Sequence, residues 1–69
     1  MKRYVMSRIY DSFAEITELT ADDLRKQGLR VGHRYTKSCD IYIDEFETED
    51  EFKSFWNDCI AEGAKVVLL

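Results

Sequence analysis

Proline is missing from this chain altogether, and glycine occurs only three times in 69 residues. No stretch can therefore serve as a proline-rich or glycine-rich linker, and no repeat or low-complexity segment divides the sequence, which reads as one small domain. There is no apolar run near the roughly 18 residues of a membrane span, and no basic-then-apolar leader, so a membrane partner is not expected. Met1 reads as a true start, which makes the cytoplasm the expected location. Cysteine is scarce: Cys39 and Cys59 stand in no metal-like spacing, and both are expected to be reduced thiols. Histidine is scarcer still, with His33 alone. Two cysteines and one histidine fall one ligand short of a zinc site. No serine lies in a nucleophile motif and no base is assigned to Cys39, so no catalytic residue, metal or cofactor is expected, and the chain does not read as an enzyme. Bases are fewer than acids, ten against fourteen, for a net charge of −4, which argues against the whole chain being a nucleic-acid binder.

What the sequence does hold is apolar: 45% of its residues are hydrophobic and 13% aromatic, enough for a core without a metal. At this length a monomer or a homodimer is expected. The stretch from Thr48 to Gly63 reads most plainly. Thr48 and Glu51 have the spacing of a capping box, and Glu49, Asp50 and Glu51 fill the first turn, where the helix dipole favours negative charge. Phe52, Phe55, Trp56, Cys59 and Ile60 recur as one apolar stripe, and Gly63 ends the helix. All five are expected to be buried on a sheet that includes residues 39–45 and 64–69.

The rest of the chain supplies that sheet. Residues 2–10 read as a strand that is central or covered on both sides. Residues 13–19 read as a second strand folding back on the first, with a one-turn helix as the alternative. Thr20 caps a short helix that Gly28 stops, with Asp22 and Asp23 at its start and Arg25 and Lys26 at its end. Leu29 is placed to close that cap, and Gly32 marks a further turn. In residues 39–44 the alternation is clear: Cys39, Ile41 and Ile43 on one face, Asp40, Tyr42 and Asp44 on the other. Residues 64–69 form a closing apolar strand, parallel to the 39–44 strand if both lie in one sheet. The expected fold is an α+β domain of order β-β-α-β-α-β, with a sheet of about four strands and the amphipathic helix packed on it.

Charge is segregated along the chain. From Leu24 to Cys39 there are five bases (Arg25, Lys26, Arg30, Arg34 and Lys37) together with His33 and no acid. From Asp40 to Glu51 there are seven acids and no base. Asp40 and Asp44, about 13 Å apart along a strand, are too far apart for one ion, and no calcium-loop motif is present. The same spacing suits a row of negative charges competing for a groove built for a nucleic-acid backbone, with Tyr42 as an interface anchor. Asp40, Tyr42, Asp44, Glu45 and Glu47 are thus the candidate partner-binding residues, expected on an exposed strand edge and turn. Arg25, Lys26, Arg30, Arg34 and Lys37 are the alternative, a surface for nucleic-acid phosphates.

Two resemblances bear on this choice. The segment AEITELTADDLRKQGLRVGHRY resembles the swapped-hairpin family of bacterial antitoxins and transition-state regulators, in which strand, short helix and a Gly-x-x-x-Gly turn lead into another strand; Gly28 and Gly32 match that turn. Gln27 stands where the family has an apolar residue, and His33 where it has an acid. In size, acidity and charge pattern the whole chain resembles small phage-encoded inhibitors of host defence, the anti-CRISPR proteins. That resemblance implies stoichiometric binding to a CRISPR effector subunit in the bacterial cytoplasm, blocking its nucleic-acid-binding surface.

Overall fold

The computed structural model describes residues 2–69. Its elements are β1 (Arg3–Ile9), β2 (Ala14–Leu19), α1 (Ala21–Gln27), β3 (Gly32–Tyr35), β4 (Asp40–Phe46), α2 (Glu49–Ala61) and β5 (Lys65–Val66). This is the α+β arrangement expected from the sequence, with one strand added. Gly32, expected as a turn, opens a strand of its own, and the sheet has five strands in the order β3-β4-β1-β2-β5.

Residues 14–19 are a strand and not a helical turn. β2 pairs antiparallel with β1, from Ile9 opposite Ala14 to Tyr4 opposite Leu19. The tight connection is held by the Tyr10 amide, which donates to the Phe13 carbonyl at 2.9 Å, and by the stacked Tyr10 and Phe13 rings. β4 pairs antiparallel with the other side of β1, which makes β1 the middle strand. That position explains its sequence: with a layer on each face, neither set of alternating residues can be wholly polar. β5 runs parallel to β2 and therefore in the same direction as β4, but it is shorter than expected, with only Lys65 and Val66 in the ladder.

The two helices cover opposite faces. Leu24 of α1 packs with Tyr4, Met6, Leu19 and Ile43, flanked by Leu29 and Ile41. Phe52 of α2 packs with Val5 and Ile16 on the other face, flanked by Phe46, Phe55 and Trp56. The Ile41/Ile43 face of β4 therefore lies under α1, and α2 lies over the face carrying Asp40, Tyr42 and Asp44, the reverse of the expected packing. The stripe of α2 is also less deeply covered than expected. Phe52 is buried, Phe55, Trp56 and Cys59 are half-buried, and Ile60 is 45% exposed.

The caps are likewise exchanged. On α1, the Thr20 hydroxyl accepts from the Asp23 amide and the Asp23 carboxylate accepts from the Thr20 amide, a reciprocal box with aspartate in the glutamate position. On α2, Thr48 accepts from the Glu51 amide, but the Glu51 carboxylate takes its hydrogen bond from the Thr48 hydroxyl instead of the backbone. Gly63, at φ 95°, ends α2 as expected: its amide bonds to Ile60 and that of Ala64 to Cys59, which closes the last carbonyls.

Candidate functional site

Alternation along β4 places Asp40, Tyr42 and Asp44 together on the α2 face and Glu45 on the opposite face. β4 is not the edge strand expected for these residues, because β3 lies beyond it. Asp40 and Tyr42 are tied to that neighbour. The His33 Nε2 lies 3.2 Å from the Asp40 carboxylate, and the His33 ring stacks on Tyr42 with centroids 4.5 Å apart. Asp44 is half-buried and has no ion pair among the described residues. Burial holds its carboxyl above the usual carboxylate range. Glu45 and Glu47 belong elsewhere: both reach Lys2, at 3.4 and 3.8 Å, and raise its ammonium pKa. The five candidates thus divide into three beside α2 and two around Lys2.

The helix contributes acids that the sequence reading passed over. Asp58 follows Glu51 by seven residues and Glu62 follows Asp58 by four, so the three line one flank of α2. Asp58 and Glu62 both stand at the C-terminal end, where no base offsets them. The Cys59 thiol pKa is raised by burial first, and then by the charges of Glu62, Asp44 and Asp58. Asp44 of β4 and Glu62 at the end of α2 line one cleft with the half-buried Cys59, while Asp58 stands exposed on the flank of the helix. The signal was present in the sequence as like charges four residues apart at the wrong end of a dipole, but the acid run of interest ended at Glu51.

The basic segment also divides. Arg25 and Lys26 both pair with Asp22 on α1, at 2.6 and 3.2 Å, and hold its carboxyl below the usual range. Arg30, Arg34 and Lys37 have no ion pair among the described residues. They lie along and beside β3, where every residue is exposed and Tyr35 reaches 76%. β2, α1 and β3 follow the strand–helix–strand order of the antitoxin resemblance, and β3 pairs with β4 of the same chain.

Among the described residues no three histidine, cysteine or acidic side chains gather as metal ligands, and no helix is long and apolar enough to cross a membrane. No protein-family model, curated protein or solved structure matches this chain.

Proposed function

We propose that this protein is a small, non-catalytic inhibitor of the anti-CRISPR kind, which occupies the nucleic-acid-binding surface of a protein partner, a CRISPR effector subunit, with an acidic surface of its own. The supporting observation is the pair Asp58 and Glu62. Acids at a helix C-terminus oppose the dipole at about 0.3–1 kcal/mol each, and like charges four residues apart cost a few tenths more. Helix stability therefore does not account for them. Together with Glu51 and the β4 row of Asp40, Tyr42 and Asp44, they give a surface of one sign with an aromatic anchor, suited to a basic partner. Glu45 and Glu47 extend the negative field, reduced by Lys2.

The second reading is a nucleic-acid-binding or antitoxin-like regulator. It is favoured by Arg30, Arg34 and Lys37 standing unpaired beside the exposed Tyr35. Partner capture from bacterial lysate at rising salt, with two double variants, separates the readings. Asp58→Lys/Glu62→Lys should lose an effector protein while its unfolding midpoint stays level or rises, because lysines suit the helix end. Arg30→Glu/Arg34→Glu should keep that partner. The reverse pattern, with nucleic acid co-purifying, overturns the acidic mechanism.

A further inference from the structure

Between the sheet and the C-terminal half of α2 lies a cleft of about 390 Å³, within the size range of small-molecule sites. Ile9, Ile16, Phe55 and Ala64 give it apolar walls. Ser7 and Asp44, on adjacent strands, line it together with Tyr42 and Cys59. Ser7 of β1 is 8% exposed, and its Oγ is buried with no hydrogen-bond partner. Asp44 of β4 has no ion pair among the described residues. Ser7 stands opposite Tyr42, so Asp44 is its diagonal neighbour on the same face, roughly 7–8 Å away across the strands. Glu62 stands at the rim, and no lysine, arginine or histidine lines the cleft.

Each feature selects among ligands. A buried hydroxyl without a partner is costly in a folded core and marks a place for a hydrogen-bonding group. An unpaired carboxylate beside it, with a second at the rim, rejects anions and favours a cation. A bare metal ion is disfavoured, because among the described residues no three histidine, cysteine or acidic side chains gather as metal ligands here. We infer that the cleft binds a small organic ammonium ion, an aromatic or alkyl body with one protonated amine whose N–H groups donate to the Asp44 carboxylate and the Ser7 Oγ. Such a ligand would hold Asp44 in the ionised form that burial disfavours. The cleft shares Tyr42, Asp44 and Glu62 with the partner surface proposed above, while Asp58 lies outside it.

Phenethylamine, cationic at neutral pH, is the probe, with hydrocinnamate and phenethyl alcohol as anionic and neutral controls of similar shape. In amide-resolved NMR titrations, the amine should give saturable shifts centred on Ser7, Tyr42, Asp44 and Cys59, and the controls should bind at least about tenfold more weakly. Asp44→Asn should weaken the amine by about tenfold or more, and Ser7→Ala by several-fold, with each variant's own spectrum reporting that it is folded. Absence of saturable shifts, equal binding of either control, shifts centred away from the cleft, or full affinity in Asp44→Asn overturns the proposal. Partner capture by the single variant Asp58→Lys, at a position outside the cleft, is a separate readout, so failure of one idea is distinguishable from failure of the other.

Discussion

Burial holds the Asp44 carboxyl above its ordinary value, so the native chain keeps that proton more tightly than the unfolded chain does. The sign follows from linkage. Where the native state binds more protons, stability falls as pH rises, here from the unfolded carboxyl's value up through the raised native one. Asp44→Asn should remove that fall and leave the protein more stable than the parent at neutral pH, with the two converging in strong acid. Urea unfolding of both proteins from acid to neutral pH measures it; a variant less stable at neutral pH contradicts this account. Alternation along residues 39–44 made the companionship of Asp40, Tyr42 and Asp44 legible. Which face α2 would cover was not, because a strand's own pattern favours covering its more apolar side. The Ile41/Ile43 side is covered, but by α1, whose single buried residue, Leu24, gave little sign of it.

The elements themselves were largely readable, since caps, periodicity and glycine stops are local signals. The depth of packing was not. The stripe on α2 runs from Phe55 round to Ile60, an arc of about 140° at 100° per residue, wider than one helix can press against a sheet. Its middle is served first: Phe52 packs edge-on to Phe46 and stacks with Trp56, while Arg3 lies 3.7 Å over its ring. Ile60 at the margin is left 45% exposed. Phe52→Ala should therefore cost about 3–5 kcal/mol, enough to unfold most of a domain this small, whereas Ile60→Ala should stay within about 0.5 kcal/mol. Denaturant midpoints for the two variants test the contrast, and similar losses would mean that the stripe packs evenly.

At the scale of the molecule, β1 is hydrogen-bonded to strands on both sides, while β3 and β5 each have one neighbour. Amide exchange should follow that order. The β1 amides should be the slowest and exchange only on global opening, and the outward amides of β3 should exchange orders of magnitude faster. Equal protection in β1 and β3 would contradict the strand order. The same topology carries the charge separation of the sequence into space, because β3, with Arg34 in it and Arg30 and Lys37 beside it, is an edge strand of the sheet, while α2 with its acids lies on a face.

Gly32 to Tyr35 leaves one row of peptide groups facing outward from the sheet, the usual template by which a domain recruits its own copies into fibrils. A second molecule aligned antiparallel with Arg34 opposite Arg34 would set like charges directly across from each other, which is destabilising. Cations at this edge set like charge against such a pairing, and the repulsion weakens as salt shortens the reach of charge to a few ångströms.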